Sequence, residues 1–532
     1  MGILDLLFKD KKILLFFNHR NLYLLGLATI ACGLGWSNAL MSIGQFILLG
    51  NWLIELDFRK KLKAFKGDKL IWVLLSIFIL HLLGFLWTED FKYAIKDSTI
   101  KLPLLLLPLI IGTSKDLSIK EWKIICGVYL ITLFILTLAS LTKLTGLLGH
   151  EIIDKRDLSI YISHIRYGLN LAFGIFLCLY FRNKVSSFLG SILLLLAIWF
   201  LVSLMMYSLF SGLFALCIAI LISSTYYLLK IENSNKVTFA ITLTLLLLIT
   251  AGIAKVAEVY EDFRKVPNIQ YNQEVLKKYN ANGKLFFHDT NNIQNENGVF
   301  LYRYLVIDEL VSEWSKLSII PLDSQNEKGN EISGTLIRYL SAKGLTKDSI
   351  GVSNLNSDEI KAIEKGIANP YYLTHNLIES RIYTTMYELE NYSQSGMAGG
   401  FSLAMRFEFW KTTWHIIQKN FWIGTGTGDI KQAFEQQYEL ENSSLEPQYR
   451  RRSHNQFLTF FATFGIIGLI VFLLFLTYPL IINAKNPLLH LVFSTILIVS
   501  FFTEDTLETQ AGVTLFAFFN SLLLVGVEKF NR

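Results

Sequence analysis

The chain has 532 residues, of which 52% are hydrophobic, 14% aromatic and only 17% charged, and its mean hydropathy is +0.42. Soluble globular domains average about 25% charged residues, so this composition excludes an ordinary soluble protein and reads as a polytopic membrane protein. The formal charge of +6 is what the cytoplasmic loops of such a protein supply, and no nucleic-acid partner is needed to explain it. Cys32, Cys126, Cys178 and Cys217 stand apart inside apolar stretches, which leaves neither a disulfide framework nor a metal knuckle.

The N-terminal MGILDLLFKDKKILLFF lacks a small-residue cleavage site after its apolar part and reads as an uncleaved lead-in helix. Its Met-Gly start is not a convincing myristoylation signal. Crossing the hydrocarbon as a helix takes about 20 mostly apolar residues. That ruler predicts roughly twelve spans, near 21–36, 38–56, 70–87, 100–113, 123–141, 166–181, 188–205, 209–229, 237–254, 455–482, 487–503 and 510–527. The span at 100–113 is short and holds Pro103 and Pro108, which suggests a broken helix lining a cavity.

Orientation follows from the Lys and Arg bias of short loops. With the N-terminus inside, the inner segments carry 20 Lys and Arg, whereas the outer short loops carry only 6: Lys92, Lys96, Lys101, Lys143, Lys155 and Arg156. Both termini are therefore expected in the cytoplasm, with the long segment after 254 outside. The expected organisation is a membrane region over 1–254, an extracytoplasmic cap over 255–454 and a second membrane region over 455–532. The middle part is polar and Asn-rich, as in NANGKLFFHDTNNIQNENG. LYRYLVIDELVSEWSKL and SRIYTTMYELENY repeat apolar residues at i, i+3 and i+4, so this part should be mainly helical. The fold class is thus all-α polytopic membrane protein with one large, mainly helical outer loop domain.

Past the Gly-rich QSGMAGGFS comes AMRFEFWKTTWHIIQKNFWIGTGTGDIKQAF. Residues 404–419 read as an interfacial helix, with Trp410, Trp414 and Phe421 forming an aromatic belt. Gly424, Gly426 and Gly428 make a turn whose open N–H groups could approach an anion. It follows no strand, so a Rossmann reading has no support. RRRSHNQFL, Arg450 to Leu458, then puts three guanidiniums and an imidazole at the mouth of a long apolar run. Basic residues at the end of a span often only snorkel or hold phospholipid headgroups. Here, however, they fall on the side otherwise poor in Lys and Arg.

The order Arg406, Trp410, Gly424 to Gly428, and then HNQFLTFFATFGIIGL from His454 to Leu469 resembles the membrane motif of the O-antigen ligase and O-antigen polymerase superfamily. TEDTLETQAGVTLFAFFNSLLL is similar to Bacteroidota-type members, and SHIRYGLNL, Ser163 to Leu171, is a weaker echo. The chain departs from the family in carrying Phe421-Trp422-Ile423 where a Pro is common. The resemblance implies a glycosyltransferase at the periplasmic face of the bacterial inner membrane. It would move a glycan from an undecaprenyl pyrophosphate carrier to an acceptor hydroxyl, using no nucleotide sugar, cofactor or metal. The acceptor could be lipid A-core, another glycan or a protein hydroxyl.

The residue chemistry suits that implication. A leaving diphosphate concentrates negative charge at headgroup level, and guanidiniums meet it with bidentate donors that keep their charge. Arg166, Arg406, Arg450, Arg451 and Arg452 are the candidates for that role. The attacking hydroxyl must lose a proton, and His454 is the candidate base. Asn455 and Glu504 are possible loop contacts, while Asp505 and Glu508 extend an acidic loop that could hold guanidiniums or simply be solvated. Arg381 resembles an Arg often seen in the cap of related proteins but reads better as part of a solvated helix face, His164 reads as structural, and His81 as a core histidine. His150, His288, His375, His415 and His490 show no ligand spacing. A transporter is the competing class, but the chain shows no matched halves.

Overall fold

A computed structural model gives the fold and describes residues 18–147, 158–229, 235–269, 272–327, 329–396, 398–482 and 486–528. The expected lead-in helix, His150, Lys155 and Arg156 lie outside the described residues. The protein is mostly helical and divides into two units. One comprises 1–238, 409–442 and 451–532, and the other 239–408 with 443–450.

A helix covers every apolar segment the hydropathy ruler selects, but not every one is long enough to cross a membrane. Among the described residues five helices meet the length and composition needed: Lys69–Trp87, Ile119–Leu144, His164–Arg182, Ser187–Met206 and Gln456–Ile481. Asn38–Ile54 with Phe58–Gly67 is a pair bent by 114°, a sixth only if the two count as one span, and Pro103–Thr113, Phe210–Tyr226, Pro487–Phe501 and Gln510–Gly526 are shorter apolar helices. The lysine-rich FRKKLKAFKG, expected as a loop, is thus a helix. Its Lys61 ammonium lies 4.8 Å from the Trp52 ring, a cation–π contact that holds a basic helix against an apolar one.

Small residues let helices approach closely where lipid offers no hydrophobic drive. His19–Trp36 packs on Asn38–Ile54 through Gly26 and Gly44, where an added Cβ would stand 2.7 Å from Leu48 and 2.6 Å from Ile30. The core then fills with rings. Phe460 and Phe472 stack at 4.3 Å, and Phe173 meets Phe519 at 4.8 Å.

The 100–113 region differs from its sequence reading. Pro103 takes the first turn of Pro103–Thr113, where its missing N–H costs nothing, and Pro108 sits inside without breaking the helix. The polar residues before it form a separate helix, Phe91–Ile100, and Lys101 at the junction is 1% exposed. The break expected at the prolines occurs instead in Gln456–Ile481, at Gly465 with φ 66° and ψ −166°.

The second unit opens with most of the 30-residue helix Asn235–Arg264, which continues well past the apolar stretch that ends near 254. Its polar part is mainly helical, as the periodicity predicts, with one hairpin pairing Asn295–Glu296 to Val299–Phe300. Asn297 and Gly298 turn that hairpin at φ 51° and 76°, the positive pair that Asn-Gly accepts at least strain. Trp314, Leu336, Tyr339, Leu340 and Ile363 form its main core. Glu296 is buried against Arg338 at 2.8 Å.

Candidate active site

The site is built where the chain enters Gln456–Ile481. Asn455 caps that helix by accepting from the Leu458 N–H at 3.1 Å, and this fixes where the preceding turn must lie. The turn residue is His454, at φ 46°. A non-glycine side chain in the left-handed region costs roughly 1–2 kcal/mol, so other contacts must hold it there. Asp505, from the loop after Pro487–Phe501, holds it: Oδ2 accepts from the His454 N–H at 3.0 Å, and Oδ1 accepts from Thr459 Oγ1 at 2.7 Å. Oδ1 also lies 3.3 Å from Ser453 Oγ. Burial pushes the Asp505 carboxyl up, against the pull of the Thr459 hydrogen bond.

The His454 side chain is 33% exposed. The ring stacks on Phe409 with centroids 5.4 Å apart, and Nδ1 is 3.5 Å from a Glu504 carboxylate oxygen. Glu504 also acts electrostatically on Arg166. His454, Glu504 and Arg166 thus share one neighbourhood, assembled from three separate segments.

Beside the turn lies a charged cluster in which Glu508 holds a guanidinium, one of the two readings of the acidic loop, and to which Tyr93, Asp97 and Lys101 come unforeseen. Arg452 donates from Nη1 to Glu508 at 2.7 Å and from Nη2 to the Tyr93 hydroxyl. The same Glu508 oxygen accepts from Lys101 Nζ at 2.8 Å, and Lys101 also bonds Asp97 at 2.6 Å. Gln456 bridges this cluster to the helix start: its amide donates to Glu508 at 3.3 Å and its oxygen accepts from the Leu507 N–H at 2.7 Å. Burial alone would raise the Glu508 carboxyl. Lys101 and Arg452 overcome that and hold it down at about 2. Two cations and two anions balance here, which is what makes their burial tolerable. The signal was present in the sequence. Asp97 and Lys101 are spaced i, i+4 beside an apolar helix, a place where ionisable residues carry a role, yet Lys101 entered only the topology count.

The glycine turn proves to be a packing device. The Gly424 N–H donates to Asn420 O at 2.9 Å and the Gly426 N–H to Thr463 O at 2.9 Å. The Gly428 N–H donates to Thr88 Oγ1 at 3.0 Å. The amides expected to be open to an anion are therefore spent on the protein. Gly424, at φ +71°, lies so close to the broken helix that a Cβ would stand 2.3 Å from Phe464 N. Asp429 closes the turn by accepting from the Glu89 and Asp90 N–H groups at 2.9 and 2.8 Å.

Three candidate guanidiniums remain. Arg451 belongs to the same unit as His454 and is exposed. Arg450 and Arg406 fall in the second unit, where Arg450 Nε donates to Leu445 O at 3.0 Å and Arg406 is half-buried. Among the described residues no three His, Cys, Asp or Glu side chains are grouped as metal ligands. A search of curated proteins gave no match. A family model described as O-antigen ligase matches residues 362–473, a segment that contains the glycine turn, the RRRSHN stretch and the first two-thirds of Gln456–Ile481. Over that segment the chain is similar to the O-antigen ligase family, and the superfamily it resembles is that of the O-antigen ligases.

Proposed function

We propose that this multi-pass membrane protein transfers a glycan from an undecaprenyl pyrophosphate carrier to an acceptor hydroxyl at the periplasmic face of the inner membrane, as an O-antigen ligase does. The observation that carries this reading is His454. It is a histidine held in a positive-φ turn by Asp505, inside the segment matched by the family model.

In this reading, the Nδ1 edge of His454 faces Glu504, which orients the ring and stabilises the imidazolium that forms. Nε2 takes the proton of the attacking hydroxyl. The new bond forms between that oxygen and the anomeric carbon as the bond to the diphosphate breaks, and the carrier pyrophosphate leaves. Arg452 and Arg166 neutralise its charge, with Arg451 as the exposed third donor. Arg452 arrives already balanced by Glu508, so its role includes holding the turn as well as meeting the phosphate. The bias of 20 Lys and Arg against 6 supports placing this site outside the cytoplasm.

The test is transfer by the purified protein from one defined undecaprenyl pyrophosphate glycan to a panel of lipid, glycan and peptide acceptors. Transfer that persists at wild-type rate in His454→Ala removes the assignment. A polymerase or a protein glycosyltransferase would share the donor chemistry. Glycan analysis of a deletion strain separates ligase from polymerase: intact chains stranded on the carrier indicate a ligase, whereas a single repeat on core indicates a polymerase.

A further inference from the structure

The second unit holds a groove that the transfer chemistry does not use. Its volume is about 600 Å³, and it is lined by Tyr260, Phe263 and Arg264 from Asn235–Arg264 and by Glu390, Tyr392 and Phe407. Sites of this size accept small ligands or a few residues of a chain. Tyr260 and Phe407 are 51% and 37% exposed, while Phe263, at 5%, forms the floor.

The rings are fixed rather than loose. Tyr392 and Phe407 stack at 6.3 Å with planes 23° apart, and the Tyr392 hydroxyl is anchored on Glu408 at 2.6 Å. Phe263 abuts Tyr383 edge to face at 5.1 Å. Flat aromatic faces held in place offer broad contact at low entropic cost, and they suit the C–H faces of pyranose rings. At the rim, Arg264 Nη1 stands 3.8 Å from Glu390 Oε1, too far for a hydrogen bond. Glu390 Oε1 accepts from Gln394 Nε2 at 3.3 Å, and the guanidinium keeps planar donors for hydroxyls. One positive and one negative group give the rim no net charge, which disfavours an anionic headgroup and favours a neutral polyol.

Position points the same way. Asn235–Arg264 is one continuous helix whose apolar part ends near 254. At 1.5 Å per residue, Tyr260 and Arg264 stand roughly 9–15 Å beyond the apolar part. That is a height at which the sugars of a membrane-held carrier would lie, rather than its diphosphate.

We infer that this groove is a binding subsite for the oligosaccharide chain of the substrate, an inference that builds on the transferase reading. The probe is the oligosaccharide released by mild acid from the polyprenyl-linked pool of the producing cells, titrated by saturation-transfer NMR against the full-length protein in nanodiscs. Tyr260→Ala and Arg264→Ala should each weaken binding by about tenfold, and Tyr260→Trp should retain it. In the transfer assay the two weakening variants should raise KM by about tenfold with kcat unchanged. Unchanged affinity and KM in both, or uptake of an apolar peptide but not of the oligosaccharide, overturns the subsite. Oligosaccharide binding that Tyr260→Ala weakens, in a protein that transfers no lipid-linked glycan, supports the groove and overturns the transferase reading instead.

Discussion

Two turns, one packed on Gln456–Ile481 and one leading into it, use positive φ in opposite ways. At Gly424 and Gly426 the left-handed backbone, φ 71° and 92°, costs nothing because no side chain is present, and the turn presses onto the break at Gly465. At His454 the same region of φ is occupied by a bulky ring and is held by Asp505. The first turn spends its amides on packing. The second uses hydrogen bonds to hold a strained residue whose side chain stays partly exposed. Strain retained at a residue that packing alone does not require is the pattern expected of a functional position.

The contrast can be broken most forcefully at the histidine. His454→Ala should lower transfer by about 100-fold or more while leaving the unfolding temperature in detergent within a few degrees of wild type. A large loss of folded protein instead would make the two turns equivalent. Gly424→Ala should do the reverse. The φ term alone is roughly 1–2 kcal/mol, and the Cβ would also meet backbone at 2.3 Å, so the yield of folded protein should collapse. Any Gly424→Ala protein that does fold should retain its specific activity.

Glu508→Gln sharpens the comparison by unbalancing the cluster that backs Arg452. Removing one partner of a buried charge set costs about 3 kcal/mol, measurable by thermal unfolding. Its pH dependence has a definite sign. The folded Glu508 pKa of about 2 lies below its ordinary value of 4.5, so the stabilisation is complete above that ordinary value. It is lost as pH falls from there through about 2. The wild-type minus Glu508→Gln difference should therefore be flat from pH 8 to 5 and shrink below. Transfer itself should also fall on acidification, because imidazolium cannot take the proton of the attacking hydroxyl. The smallest effect is expected for Arg451→Ala. This exposed side chain should change transfer by no more than a few-fold, and more strongly at low salt.

Much of this was legible in the sequence because hydropathy is a local property. The helices His19–Trp36, Ile119–Leu144, His164–Arg182 and Gln456–Ile481 lie within a few residues of their predicted limits. The RRRSHN stretch was visible as charge beside an apolar run. What stayed hidden was pairing. Lys101 looked like a loop lysine, and Glu508 like one member of an acidic loop that either held guanidiniums or was solvated, until residues 407 positions apart came within 2.8 Å. Likewise, the glycines could not reveal that their amides were already donated.

Composition and periodicity alone determined that this chain lives in a membrane as helices with one large polar segment, because burial in lipid demands apolar length and self-satisfied backbone whatever the neighbours are. Only the tertiary structure decided which charges are neutralised, which amides are spent and which imidazole is held at φ 46° beside Glu504. Those outcomes depend on distances between segments far apart in the chain, and electrostatic and hydrogen-bond energies fall off too steeply with distance for sequence order to set them.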